Sequence, residues 1–109
     1  MAVYEDAVDF TRPGASLAEL DRRIRAGIDA LGFPGQPSHP ICHGVGARAH
    51  EPPYAHQAGS GEIAAGTVLA IEPGCYIDGG GGLWVEDNFL ITPDGAEKLS
   101  PFPDGIVQA

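Results

Sequence analysis

The chain has 109 residues, a formal net charge of −9 and only 6 Lys and Arg residues. This charge argues against nucleic-acid binding, because contacts to phosphates need clustered cations. Its mean hydropathy of −0.05 is ordinary for a globular domain. No apolar run approaches the roughly 18–20 residues of a membrane span, and the N-terminus lacks a secretory signal pattern. We therefore expect one cytoplasmic domain over residues 1–109, without a membrane or nucleic-acid partner.

Cys42 and Cys75 are the two cysteines of the chain, and they do not form a C-x-x-C pair. Cytosolic proteins seldom carry disulfides, so we predict that both thiols are reduced and structural. Because Cys42 precedes a histidine, a minor redox or metal-binding role for it stays open.

A short helix is predicted over residues 2–10, where Val3, Ala7 and Phe10 follow one stripe. The Pro13-Gly14 pair ends it.

A longer amphipathic helix begins at a capping box, with Ser16 as N-cap and Glu19 at the third helical position. Gly32 is a natural residue to end it. Its apolar face is spaced by threes and fours and consists of Leu17, Leu20, Ile24, Ile28 and Leu31. Its polar face is predicted to be solvated and includes Arg22, Arg23 and Arg25.

The rest of the chain alternates between β-favouring runs and segments rich in proline and glycine. Residues 33–40 and 51–66 are predicted to be loops, and residues 79–82 a glycine turn. Strands are predicted over residues 41–49, 67–71, 83–92 and 96–99, the first of them bent or bulged by its glycines. Helices followed by an antiparallel meander indicate an α+β fold.

Two glutamates lie in or beside these strands. Alternation along residues 83–92 places Glu86 on one face with Trp84, away from the helices. Glu72 follows the strand over residues 67–71 and has small neighbours, which leave room for a bound group. Surface glutamates are the simpler interpretation of each, but two facing carboxylates repel unless a cation or proton lies between them.

Four histidines complete the candidate set. His43 and His50 flank a glycine-containing segment that can bring both to one pocket, because glycine tolerates tight turns and close approach. Structural histidines remain the alternative for this pair, and surface positions for His39 and His56. Imidazole and carboxylate together suit Zn, Mn, Fe or Co.

Four motifs occur in an order that is characteristic of one superfamily. They are Arg12-Pro13-Gly14, His39-x-x-x-His43-Gly-Val-Gly-x-x-x-His50-Glu-Pro, Gly66-Thr-Val-Leu-Ala-Ile-Glu72-Pro-Gly, and Val85-Glu86-Asp87 with Ile91-Thr-Pro-Asp-Gly95. Together they resemble the C-terminal half of the M24 metallopeptidase superfamily, which comprises aminopeptidase P, prolidase, methionine aminopeptidase and creatinase. The resemblance implies a partial pita-bread fold, with two N-terminal helices followed by an antiparallel β-sheet.

The resemblance also implies roles for individual residues. His43, Glu72 and Glu86 would be metal ligands, and His50 and His39 would be catalytic residues, with His50 also contacting substrate. Trp84 would be substrate-binding, at a position where the family has Arg. The cofactor would be Mn, Co or Zn, with one ion or none in this chain. A metal-bridged water would then attack the bond of a peptide substrate such as an Xaa-Pro peptide.

Departures from the family pattern limit what this chain is expected to do. The two Asp ligands of the family lie on strands upstream of this sequence, and Asp6 and Asp9 match neither. Cys42 also replaces the glycine that the family has before its histidine. We therefore expect the chain alone to be inactive, and an open sheet edge to favour a homo-oligomer. The alternatives are a non-catalytic truncated relative or binding module, and a creatinase-like, metal-independent C–N hydrolase suggested by the ending over residues 95–105.

Overall fold

The computed structural model describes residues 1–103 and confirms the α+β class. Within this part of the chain, two helices precede seven strands. The helices are α1 (Ala2–Phe10) and α2 (Leu17–Ala30). The strands are β1 (Cys42–Gly44), β2 (Glu51–Tyr54), β3 (Val68–Ile71), β4 (Gly74–Ile77), β5 (Gly81–Trp84), β6 (Asp87–Thr92) and β7 (Gly95–Lys98).

Five of the strands form one sheet in the order β2-β1-β3-β6-β7, in which every neighbouring pair is antiparallel. β4 and β5 form a separate two-stranded sheet. The hydrophobic core joins the helices to the larger sheet and includes Leu20, Ile24, Leu69 and Phe89. Burial of such side chains is the main force that holds helices and sheet together.

Helix α2 begins at the predicted N-cap, Ser16, whereas the Glu19 carboxylate, which would close a capping box, pairs with Arg22 and Arg23. The Glu19 backbone N–H donates to the Ser16 hydroxyl at 3.3 Å, which satisfies a backbone donor that the helix itself cannot pair. Gly32 follows the C-cap and has a φ of +93°, a conformation that glycine adopts without strain.

Two predictions about the surface of α2 are wrong. Leu31 belongs to the predicted apolar face but is 66% exposed, because the helix ends before it. Arg25 belongs to the predicted solvated face, yet its side chain is only 23% exposed, compared with 64% for Arg22. The reason is a buried partner, Asp21, one turn earlier on the same helix.

The predicted strand over residues 41–49 is wrong in length, since β1 ends at Gly44 and β2 lies in the predicted loop. The chain turns back after β1, and the register between β1 and β2 shifts at His43 and Gly44, an irregularity of the bulge type. A Cβ atom at Gly44 would lie 2.5 Å from the Pro52 carbonyl oxygen, so only glycine permits this approach.

The predicted single strand over residues 83–92 is also wrong, because it is interrupted at Val85 and Glu86. Trp84 at the end of β5 pairs with Gly74 of β4, a strand that the sequence pattern does not predict, whereas β6 pairs with β3. A strand whose two halves pair in different sheets must break between them. The predicted alternation holds within β6, where Asp87, Phe89 and Ile91 are buried.

The remaining β predictions are confirmed to within a residue at either end, as β3 and β7. Neither helix within residues 1–103 has the length and apolar character that crossing a bilayer requires. The cytoplasmic location stays a prediction.

Candidate metal centre

Three neighbouring segments bring two histidines and a glutamate together. His43 lies on β1, and Glu72 directly follows β3, the strand paired with β1. The Glu72 backbone N–H donates to the Ile41 carbonyl at 2.9 Å, which extends this pairing beyond the strand end. His50 immediately precedes β2, which folds back onto β1, so the two imidazole rings lie against each other, with centroids 4.3 Å apart and planes tilted by 37°.

The three side chains form a compact set of donor atoms, here called the three-ligand cluster: His43, His50 and Glu72. One ligand atom from each lies within 4.8 Å of the others. His43 and Glu72 are buried, while His50 is exposed. The sequence prediction that the glycines allow both histidines to approach one pocket is therefore confirmed.

The orientation of His43 leaves one ring nitrogen without a hydrogen-bond partner. Its Nδ1 lies 2.9 Å from the Gly44 carbonyl oxygen, which can only accept, so Nδ1 carries the proton. In the neutral ring Nε2 is then an acceptor. This atom is buried and has no hydrogen-bond partner in the described chain, although it lies 3.3 Å from Glu72 Oε1.

This arrangement fits a divalent cation. Two buried acceptors that face each other at 3.3 Å are unfavourable unless a cation or proton lies between them. Metal-binding histidines characteristically donate their other ring N–H to a carbonyl or carboxylate, as His43 does to Gly44. A mixed imidazole and carboxylate set suits Zn, Mn or Co.

The protonation of Glu72 reflects the same crowding. Burial raises the pKa of its carboxyl group, and repulsion by Glu86 raises this pKa as well. The nearby His43 lowers the pKa, but the net pKa remains above the ordinary value. A bound cation would favour the ionised form and offset the cost of burial.

Glu86 lies close enough to influence Glu72 electrostatically but is not a member of the three-ligand cluster. It is exposed, at the interruption between β5 and β6 where the strand geometry is lost. Of the three predicted ligands, the structure thus brings His43 and Glu72 together, with His50 rather than Glu86 as the third donor. The position of His50 at ligand distance was not predicted from the sequence.

A cavity of about 200 Å³ adjoins the cluster. Its lining residues are His39, Pro40, His43, His50, Tyr54, Glu72, Tyr76 and Trp84. This cavity is therefore lined by the three predicted site residues that were not predicted to bind metal: His39, His50 and Trp84. The two tyrosines of this lining were not predicted from the sequence. No sequence pattern indicates either residue, because Tyr54 and Tyr76 lie on β2 and β4, two strands that the sequence does not predict.

His39 is held firmly in the wall of this cavity. Its Nδ1 lies 2.6 Å from the Pro40 carbonyl oxygen, and its Nε2 lies 2.9 Å from the Tyr76 hydroxyl. Its ring also meets the Trp84 ring edge-on, with centroids 6.4 Å apart. Both nitrogens are engaged, so His39 is arranged to shape the wall. His56 lies outside this wall in an exposed loop and accepts a hydrogen bond from Ala58.

Both cysteines are free, as predicted. Cys42 is fully buried beside the site but is not part of the three-ligand cluster. Burial, with added repulsion from Glu72 and Asp21, raises the pKa of its thiol to about 12. A thiol that stays protonated is a poor metal ligand and a poor nucleophile, which argues against the redox or metal role that the sequence left open.

The chain is similar to a metallopeptidase family and to proteins described as dipeptidases. The profile of metallopeptidase family M24 matches residues 1–93. The chain is 34% identical to a putative dipeptidase of Bacillus subtilis, over 97% of this chain and 31% of that protein. It is 38% identical to an Xaa-Pro dipeptidase of Pyrococcus horikoshii, over 92% of this chain and 28% of that protein.

Solved structures agree in fold. The prolidase from Pyrococcus furiosus superposes with a TM-score of 0.88 at 36% identity, covering 94% of this chain and 30% of that one. A methionine aminopeptidase from Thermotoga maritima gives 0.76 at 27% identity, covering 90% and 47%. The chain thus spans about a third of the length of its dipeptidase relatives. It belongs to metallopeptidase family M24 and has part of the pita-bread fold that its motifs predict.

Proposed function

We propose that this chain forms the C-terminal portion of the catalytic domain of a metal-dependent peptidase of the Xaa-Pro dipeptidase or aminopeptidase type. Family membership supports the reaction class, and the names of the relatives support the substrate class. The observation that carries the proposal is the three-ligand cluster, in which the buried Nε2 of His43 faces the carboxylate of Glu72.

In this proposal His43, His50 and Glu72 hold a divalent cation such as Mn, Co or Zn, and Glu86, whose charge acts on Glu72, is a further ligand. A bound cation would supply Lewis-acid polarisation of the substrate carbonyl and would lower the pKa of a water molecule.

The protein's own groups contribute orientation and enclosure. The Gly44 carbonyl fixes the tautomer of His43, so that Nε2 is presented to the site. The burial of His43 and Glu72 excludes bulk water from one side of the cluster. His39, Tyr76 and Trp84 form an aromatic wall along the adjoining cavity, against which an apolar substrate side chain would pack.

The described residues supply no aspartate to this cluster. Asp6 lies on α1, is exposed, and pairs with Arg23 at 3.3 Å. Because the chain spans about a third of its dipeptidase relatives, we propose that it binds metal but needs further residues for turnover. The missing aspartates are also the observation that favours a second candidate, a non-catalytic binding module.

The deciding experiment is calorimetric titration of the full chain with Mn²⁺ and Zn²⁺. We expect binding that is lost in Glu72→Gln and His43→Ala and weakened in Glu86→Gln. Glu97→Gln is the matched control, because Glu97 is exposed on β7 at the far edge of the sheet. Circular dichroism would verify that each variant remains folded.

A folded chain that binds neither cation would contradict the metallopeptidase proposal. That result would favour the binding module or the creatinase-like, metal-independent alternative. The creatinase-like alternative is based on the sequence of residues 95–105, of which residues 104 and 105 lie outside the described part of the chain. The predicted homo-oligomer can be tested on the same samples by light scattering.

A further inference from the structure

Arg25 makes an unusual set of contacts for a residue on the polar face of a helix. Its Nε lies 3.0 and 3.1 Å from the two carboxylate oxygens of Asp21, which is 1% exposed. One of its terminal nitrogens donates to the His39 carbonyl at 3.1 Å, and the other donates to the Pro37 carbonyl. One guanidinium therefore ties α2 to two points of the loop that carries His39.

Only arginine can make this set of contacts. Its planar fork has five N–H donors in fixed directions, whereas lysine offers a point charge on a flexible stem. Asp21 in turn fixes the guanidinium, because a buried carboxylate needs its charged partner and holds it in one geometry.

The loop is also held by the burial of the Pro37 ring and by a hydrogen bond from the Gly35 backbone N–H to Asp29 at 3.0 Å, but neither contact fixes the backbone at His39. Pro37 and Pro40 have no backbone N–H to donate, so this segment cannot be tied down by a regular strand ladder. At its end lies the ring of His39, which contacts the Tyr76 hydroxyl and the Trp84 ring beside the three-ligand cluster. Tyr76 and Trp84 lie on β4 and β5, which form a different sheet from β1. The strand pairing of β1 therefore does not fix the distance of their rings from His39.

We propose that Arg25, held by Asp21, is a positioning residue for the cavity wall. It fixes the backbone at Pro37 and His39 so that the His39 ring stays against Tyr76 and Trp84. This inference rests on the proposed function only where it says that the wall contacts a substrate. The ring contacts themselves can be measured without metal or peptide.

Arg25→Lys in the full chain tests this role, because lysine can still pair with Asp21 but cannot also reach both carbonyls. Trp84 is the only tryptophan of the chain, so its indole N–H signal in an NMR spectrum is unambiguous. We expect the nuclear Overhauser contacts between the rings of His39 and Trp84 to be lost. The contacts between Tyr4 and Phe89, whose rings lie 6.3 Å apart in the core, should remain as an internal reference.

Arg22→Lys is the matched control, because Arg22 lies on the same helix in an exposed pair with Glu19. We expect this variant to retain both sets of ring contacts. If Arg25→Lys does not fold, the double variant Asp21→Asn with Arg25→Gln replaces the buried ion pair by an uncharged one. It should show the same loss, because the shorter glutamine side chain has a single amide group that cannot reach both carbonyls of the loop.

Persistence of the His39–Trp84 contacts in a folded Arg25 variant would overturn the proposal, as would their equal loss in Arg22→Lys. Loss of the Tyr4–Phe89 contacts as well would show a general structural role and would also overturn it. Mn²⁺ titration of the same samples separates this question from the proposed function. We expect Arg25→Lys to bind Mn²⁺ like the unmodified chain. If the unmodified chain binds no Mn²⁺, that result contradicts the proposed metal centre but not the positioning role of Arg25.

Discussion

Glu86 and Asp87 are neighbours in the chain with opposite environments. Glu86 is exposed near the candidate metal centre, whereas Asp87 is buried and accepts a hydrogen bond from the Tyr4 hydroxyl at 2.6 Å. Burial raises the pKa of Asp87. Hydrogen bonds from Tyr4, Lys98 and Ser100 together lower this pKa by more than burial raises it, so the net pKa is below the ordinary value. The first residue of β6 is thereby anchored to α1 and β7, immediately after the interruption that carries Glu86.

Removing one of these hydrogen bonds should weaken the fold. In Tyr4→Phe we expect the free energy of unfolding to fall by about 1.5–3 kcal/mol, the range for hydrogen bonds to charged groups. Urea denaturation followed by circular dichroism measures this. Tyr54→Phe is the control, because Tyr54 is exposed on β2. Equal stability of Tyr4→Phe and the unmodified chain would show that solvent replaces the lost donor.

The two cysteines should differ sharply in reactivity. Cys42 is fully buried and burial raises the pKa of its thiol to about 12, whereas Cys75 is only half-buried. Thiolate is the reactive form, so we expect a thiol reagent at neutral pH to modify Cys75 alone in the folded chain and both thiols in urea. Mass spectrometry of Cys75→Ala and Cys42→Ala assigns the sites. Rapid labelling of Cys42 in folded Cys75→Ala would contradict its burial.

At the scale of elements, local signals predict the helices better than the strands. The N-cap of α2 depends on residues three positions apart, so the hydrogen bond between Ser16 and Glu19 could be predicted from the sequence. The β1–β2 turn and the interruption before β6 depend on which distant strand each segment meets. That information does not lie in the segment itself, which is why the sequence pattern does not predict strands over residues 51–54 and 74–77.

The cap offers a direct test of the local prediction. Ser16→Ala removes the acceptor for the Glu19 backbone N–H, and we expect the free energy of unfolding to fall by about 1 kcal/mol. Thermal or urea denaturation measures the change. Ser60→Ala, in an exposed loop, should be close to neutral. A neutral Ser16→Ala would mean that water satisfies this end of α2 equally well.

At the scale of the whole molecule, the candidate metal centre couples segments that are far apart in sequence. His43 and Glu72 come from paired strands at the middle of the sheet, and His50 comes from the turn into its edge strand. A cation that binds only the assembled cluster must therefore stabilise the folded state.

Metal addition and removal should consequently change stability. With free Mn²⁺ at a hundredfold excess over its dissociation constant, we expect stabilisation of about 2.7 kcal/mol. The midpoint of thermal unfolding should rise accordingly and return on addition of EDTA. Glu72→Gln should show no rise, and Glu97→Gln should behave like the unmodified chain. An equal rise in Glu72→Gln would show that the cation binds elsewhere.

Sequence alone is enough to predict the two helices, the α+β class, the family and five of the residues that line the cavity beside the cluster. These follow from short-range periodicity, capping and ordered motifs, which are physical properties of contiguous residues. The folded chain is needed to show that His50 joins His43 and Glu72 at ligand distance and that Glu86 is not part of this cluster. It also showed that Arg25, an apparently solvated helix residue, reaches the loop of His39. Both depend on strand register and on the packing of a helix against a loop, where a shift of one residue exchanges buried and exposed side chains.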